Sequence, residues 1–83
     1  MNEIIGMRME GTLPEENTVN FYEVLISTQS GKRPVLDGEA YSWEGVVGLV
    51  KEVQEKKPDY LCADVKAHKK DGTVSQAYYF KAE

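Results

Sequence analysis

One cysteine, Cys62, and one histidine, His68, are the obvious candidates for nucleophilic chemistry in this chain of 83 residues. A thiol activated by an imidazole must lie in hydrogen-bond contact with it. Both residues fall on one face of one predicted strand, where a rise of about 3.3 Å per residue separates them by roughly 20 Å. The spacing therefore excludes a cysteine–histidine dyad. We expect Cys62 to be half-buried and His68 to be exposed near a turn.

The sequence also lacks the motifs of metal and cofactor sites. A structural zinc site takes four cysteine or histidine ligands, and the chain has two such residues. Asp59, Asp64 and Asp71 do not have the short regular spacing of a calcium loop, and the glycines form no phosphate-binding motif. The sequence leaves open whether two carboxylates come together in the fold as an acid–base pair. We therefore predict a protein that is not an enzyme and that binds no metal or cofactor.

The charge is negative and unevenly distributed. The formal net charge is −4; residues 1–50 carry eight acids and three bases, whereas residues 51–83 carry six acids and seven bases. An acidic surface speeds association with a basic partner and disfavours contact with phosphates. From the first half of the chain we predict an acidic front that binds a partner, comprising Glu10, Glu15, Glu16, Asp37, Glu39 and Glu44.

The elements that position these residues follow from hydrophobic periodicity. Alternating apolar and polar residues predict strands over 4–10, 19–28 and 33–36, and a hairpin over 60–70 and 73–81. Trp43, Val46, Val47, Val50 and Val53 form one apolar stripe, which predicts a helix over 42–57 with Ser42 as its N-cap. The strand over 19–28 carries bulk on both faces and is placed centrally, the Pro34 strand is placed at an edge, and Asp37-Gly38 and Ser30-Gly31 are read as turns. The predicted fold is α+β: an antiparallel sheet of about five strands, in the order β-β-β-α-β-β, packed on one helix.

One helix cannot cover both faces of such a sheet, so one face is expected to stay open. A two-residue turn at Asp71-Gly72 would pair Val65 with Tyr78 and Ala63 with Phe80 on the helix side. The opposite side is then predicted to be a second partner-binding surface, consisting of Tyr22, Asp64, Lys66, His68 and Tyr79.

Length and composition describe a small globular protein. The 83 residues predict a single domain over residues 1–83. The apolar runs are too short for a membrane span, the N-terminus has no export signal, and a single cysteine suits a reducing compartment. We therefore expect a cytoplasmic protein with no membrane partner.

The leading hypothesis is a small acidic binding protein that acts as a stoichiometric inhibitor of a protein partner. In size and charge the chain is similar to phage-encoded anti-CRISPR and other counter-defence proteins, and to toxin-immunity proteins; the likeness covers no alignable segment. Two alternatives stay open. The first is a homo-oligomer, for instance a homodimer, that binds a small ligand or nucleotide in a pocket lined by Tyr22, Tyr41 or Tyr79. The second, which the net charge disfavours, is a nucleic-acid-binding sheet domain.

Overall fold

A computed structural model of the protein describes residues 3–28, 34–56 and 60–81. Five strands and one helix follow in the order β1 (Met7–Gly11), β2 (Val19–Thr28), β3 (Pro34–Ala40), α1 (Trp43–Lys56), β4 (Tyr60–Lys69) and β5 (Val74–Lys81), with a short 3-10 turn at Glu16–Thr18. The strands form one antiparallel sheet in the order β1-β5-β4-β2-β3. This confirms the predicted α+β class and the predicted order of elements.

The interior strands obey the expected alternation. Along β2, Tyr22, Val24 and Ile26 are buried, and the residues between them are half-buried. Because β2 lies between β4 and β3, it has a partner on each side, as its bulky residues predicted. The strand that begins at Pro34 lies at an edge, where a residue without an N–H is tolerated.

Two strand boundaries differ from the prediction. Asp37 and Gly38 do not form a turn but lie within β3, opposite Leu25 and Val24, because the long β2 offers cross-strand partners along its whole length. β1 begins at Met7 rather than at residue 4: the Met7 N–H donates to the Ile4 carbonyl at 3.0 Å, and this turn leaves Ile4 buried. The predicted turn at Ser30-Gly31 lies outside the described residues.

The register of the C-terminal hairpin is shifted by one residue from the prediction. The connection is a three-residue loop, since Lys69 donates to the Thr73 carbonyl at 2.8 Å and Gly72 to the Lys69 carbonyl at 3.0 Å. Gly72 has a φ of 91°, the left-handed conformation that such a loop requires. Asp64 therefore pairs with Tyr78, and Ala63 pairs with Tyr79.

The helix packs on one side of the sheet. Its N-terminus is capped as predicted, with the Gly45 N–H donating to Ser42 Oγ at 3.1 Å. Val46, Val50 and Val53 are buried in the core that α1 forms with β2, β3 and β4. The predicted end of the helix at residue 57 lies outside the described residues.

An aromatic cluster completes the covered side. Trp43 at the start of α1 lies over two buried tyrosines, with ring centroids 5.5 Å from Tyr22 and 6.0 Å from Tyr79. Ile4 and Leu13 extend the same core beyond the helix. Among the described residues no second helix covers the opposite side of the sheet.

Candidate functional site: the open face of the sheet

The side of the sheet that faces away from α1 carries a continuous set of side chains. Directly paired residues of neighbouring strands point to the same side, so the strand register defines this surface, here called the open face. It consists of Arg8, Glu10, Phe21, Glu23, Leu25, Ser27, Asp37, Glu39, Cys62, Asp64, Lys66, His68, Val74, Gln76, Tyr78 and Phe80. All of these side chains are half-buried or exposed, whereas their neighbours along β2, β4 and β5 include the fully buried core residues.

Five residues form a row that crosses the whole open face at right angles to the strands. Glu10 pairs with Tyr78, Tyr78 with Asp64, Asp64 with Leu25, and Leu25 with Asp37, so that each strand contributes one residue. Carboxylates and apolar side chains alternate along this central row. It brings together residues from both ends of the chain that no local sequence pattern would connect.

Aromatic contacts lie at the two ends of the strands, on either side of the central row. At one end, the rings of Phe21 and His68 stack at 4.3 Å with an interplanar angle of 9°, and His68 Nε2 lies 3.0 Å from a carboxylate oxygen of Glu23. The Tyr41 ring, which is 78% exposed, lies 6.5 Å from Phe21. At the other end, the Arg8 guanidinium lies 5.9 Å from the centre of the Phe80 ring.

The open face carries more acid than base. The open face has five carboxylates, whereas Arg8 and Lys66 are the lysine and arginine side chains on it. Asp64 accepts a hydrogen bond from Gln76 Nε2 at 2.7 Å. Glu10, Asp37 and Glu39 form no ion pair or side-chain hydrogen bond with any other described residue. Those three carboxylates face solvent and can meet a cationic partner without first breaking an internal contact.

The structure confirms part of the predicted open face. Asp64, Lys66 and His68 lie on the open face. The placement of Tyr22 and Tyr79 is wrong, since these side chains are 1% and 0% exposed in the core beneath Trp43. The one-residue register shift carries Tyr79 to the helix side, and Tyr22 lies on that side because it pairs with core residues of β3 and β4.

The sequence reading missed the aromatic part of the open face, Phe21, Tyr78 and Phe80. The signal that could have found two of them was Gly72, whose placement after Lys70-Asp71 is typical of a three-residue hairpin loop. Counting that loop as three residues moves Tyr78 and Phe80 from the predicted core to the exposed side.

The predicted acidic front divides into two groups on different parts of the molecule. Glu10, Asp37 and Glu39 belong to the open face. Glu15 and Glu16 lie instead in the loop before β2, and Glu44 lies in the first turn of α1. The fold joins the two segments, since Glu16 Oε2 accepts a hydrogen bond from the Trp43 N–H at 2.6 Å. A carboxylate at a helix N-terminus is stabilised by the helix dipole. Glu16 therefore has a structural contact.

A groove of about 540 Å³ adjoins this second group. It lies between the loop before β2, β1 and the start of α1, and is lined by Glu3, Met9, Thr12, Leu13, Pro14, Glu15, Glu16 and Trp43. The tyrosines predicted to line a ligand pocket do not line this groove; Tyr79 borders a neighbouring cavity of about 380 Å³.

The two residues first considered for chemistry lie at opposite ends of β4. Cys62 pairs with Phe80, and His68 pairs with Val74, so the predicted separation along one face is confirmed. Burial, assisted by the nearby Asp64, raises the pKa of the Cys62 thiol, which disfavours the reactive thiolate. Within residues 3–28, 34–56 and 60–81, no three histidine, cysteine or carboxylate side chains come together as a metal site.

Compared with known proteins, the chain matches no family model, no curated protein and no solved structure. In the described part of the chain, no helix is both long and apolar enough to cross a membrane. Since a fold alone does not define a function, we infer the function from the chemistry of the open face.

Proposed function

We propose that the protein is a non-catalytic binding protein that inhibits a protein partner by covering a basic surface of that partner with its open face. The observation that carries this proposal is the composition of a sheet face that no described element covers, on which the exposed Tyr78 and the half-buried Phe21 and Phe80 accompany an excess of carboxylates. Such a protein acts one-to-one and needs no active site, as the small inhibitors of similar size and charge do.

The mixture of side chains favours a protein partner over a nucleic acid. Protein interfaces combine aromatic anchors with a polar rim, and the open face offers Tyr78, which is 42% exposed, beside Phe80 and Leu25. A nucleic acid would bring phosphates against Glu10, Asp37 and further carboxylates, and phosphate binding requires a basic surface. The basic counterpart to these carboxylates is lysine or arginine on a partner protein.

The unpaired carboxylates also determine how binding should respond to salt. Exposed charges attract a partner over a distance of about 10 Å at an ionic strength of 0.1 M, and added salt shortens this range. Association should therefore be fast at low salt and slower as salt rises, while the aromatic contacts persist.

The proposal is tested by affinity capture of the tagged protein from a lysate of the cells that encode it, at low and at moderate salt. A first variant neutralises the open face through Glu10→Gln, Asp37→Asn and Glu39→Gln. A matched control removes the same charge elsewhere through Glu15→Gln, Glu44→Gln and Glu55→Gln, at side chains that are exposed in the structure.

We expect one partner to be recovered at a stoichiometric level by the wild type and by the control at low salt, to be lost with the open-face variant, and to be recovered in a smaller amount as salt rises. A partner that is retained by the open-face variant and lost with the control would contradict the proposal. Recovery of no partner by the wild type at either salt would also contradict it.

A further inference from the structure

We infer that the partner presents a basic amphipathic α-helix, and that this helix docks on the open face along the central row, across the strands. The inference rests on the proposed function and adds the kind of element that is bound. It is argued from the spacing of Glu10, Tyr78, Asp64, Leu25 and Asp37, which follow one another across β1, β5, β4, β2 and β3.

The spacing of the central row follows from sheet geometry. Neighbouring strands lie about 4.8 Å apart, so carboxylates on every second strand are roughly 9.6 Å apart, and the whole row spans about 19 Å. The two intervening side chains, Tyr78 and Leu25, lie midway between the carboxylates. The surface thus alternates acidic and apolar positions with a step of about 4.8 Å.

An α-helix reproduces this alternation with one stripe of side chains. Residues seven apart on a helix are about 10.5 Å apart along the axis, and a residue three or four positions on lies about 5 Å along. A helix of 15 residues (~21 Å) with basic residues at i, i+7 and i+14, and apolar residues between them, therefore matches the row within the reach of lysine side chains. An extended strand repeats every 6.6–6.8 Å and would not match it.

The twist of the sheet along the central row and the drift of the side-chain stripe around the helix have the same hand. Viewed across its strands a sheet twists left-handed, by about 20–25° for each strand. A heptad stripe also drifts left-handed around its helix, by about 20° per heptad. Between carboxylates on every second strand the sheet turns by about 40–50°, roughly twice the drift of the stripe, so the long lysine side chains must take up the remaining 20–30° or so at each step.

The charge of the row selects the sign of the helix stripe. Among the described residues, Glu10 and Asp37 at its ends have no hydrogen-bond or ion-pair partner for their side chains, and Asp64 at its centre bonds only to the neutral Gln76. In the next row, Lys66 lies beside Asp64 on the same strand, and Glu23 and Glu39 follow it across β2 and β3, so this flank carries more acid than base as well. A helix with lysine or arginine on its stripe fits best.

Designed peptides test this inference without knowledge of the natural partner. The probe is a fluorescein-labelled helical peptide of three heptads with Lys at each a position, Leu at each d position, and Ala and Gln elsewhere. The control peptide has the same composition and helicity, but its lysines stand at i, i+5 and i+10, which places them on different sides of the helix. Binding is measured by fluorescence anisotropy at low salt.

We expect the heptad peptide to bind at least fivefold more tightly than the control peptide. Asp64→Asn should weaken its binding at least threefold, whereas Glu55→Gln, which removes one exposed charge from α1, should change it less than 1.5-fold. Chemical-shift changes on binding should map to the open face.

Equal affinity for the two peptides, or shift changes confined to α1, would overturn the inference. That failure is distinguishable from failure of the proposed function. If capture of the natural partner still depends on Glu10, Asp37 and Glu39, the open face binds a partner, but that partner does not present a helix with this stripe.

Discussion

Replacing Tyr22 with phenylalanine should make the protein more stable. Tyr22 is 1% exposed, and its hydroxyl oxygen is buried with no hydrogen-bond partner among the described residues. In the unfolded chain that hydroxyl bonds to water, so folding removes a hydrogen bond and restores none. The ring itself packs edge-on against Trp43 at 5.5 Å, and phenylalanine keeps this contact.

The size of the effect follows from two opposing terms. A buried polar group without a partner costs about 1–3 kcal/mol. Deleting the oxygen also removes the dispersion contacts of one heavy atom, at about 0.1–0.2 kcal/mol for each neighbouring atom. The net expectation for Tyr22→Phe is a free energy of unfolding that is higher by about 1 kcal/mol, which corresponds to a rise in Tm of roughly 4–8 °C for a domain of this size.

Urea unfolding followed by tryptophan fluorescence measures this change directly, because Trp43 lies beside the substituted ring. Tyr41→Phe is the matched control: Tyr41 is 78% exposed, and its substitution should change the free energy of unfolding by less than about 0.5 kcal/mol. If Tyr22→Phe lowered that free energy by 1 kcal/mol or more, the hydroxyl would have a partner, and our reasoning about this part of the core would be refuted.

Two further changes test the helix and the buried tyrosines. Gly48→Ala should raise the free energy of unfolding by about 0.5–1 kcal/mol, because the added methyl group meets no atom within 4 Å. Gly45→Ala should not raise it, because its methyl group would lie 3.1 Å from the Ala40 Cβ. Urea titrations of both variants would contradict this expectation if Gly45→Ala were the more stabilising change. Burial raises the pKa of Tyr22 and Tyr79 in the folded protein. The unfolded chain therefore loses these protons first, and the free energy of unfolding should fall as pH rises above about 10. Equal free energies of unfolding at pH 8 and pH 11 would refute this prediction.

The sequence was sufficient for the elements with strong periodicity. The bounds of β2, Val19–Thr28, and the position of α1 were predicted because each has a long, unbroken pattern of apolar residues. The length of one loop was not. Asp71-Gly72 suggested a two-residue turn, the observed loop has three residues, and the difference moved Tyr79 from the predicted surface to the core.

The central row could not have been predicted, because it depends on strand order. β1 pairs with β5, so Glu10 from the beginning of the chain lies opposite Tyr78 near its end. No local pattern reports such a pairing, since strands joined by long connections have many possible neighbours. The acidic residues were recognised by type, but whether they share a surface was decided by the fold: Asp37 lies on the open face and Glu16 near the start of α1.

The most direct test of the open face as the binding surface is photo-crosslinking from its centre. A benzoyl-phenylalanine residue would replace Tyr78, which is 42% exposed in the central row, and a second protein would carry the same residue in place of the exposed Glu55 on α1. After irradiation in a lysate of the native cells, we predict a single crosslinked partner from position 78 and none from position 55. Crosslinking of a stoichiometric partner from position 55 alone would contradict the account.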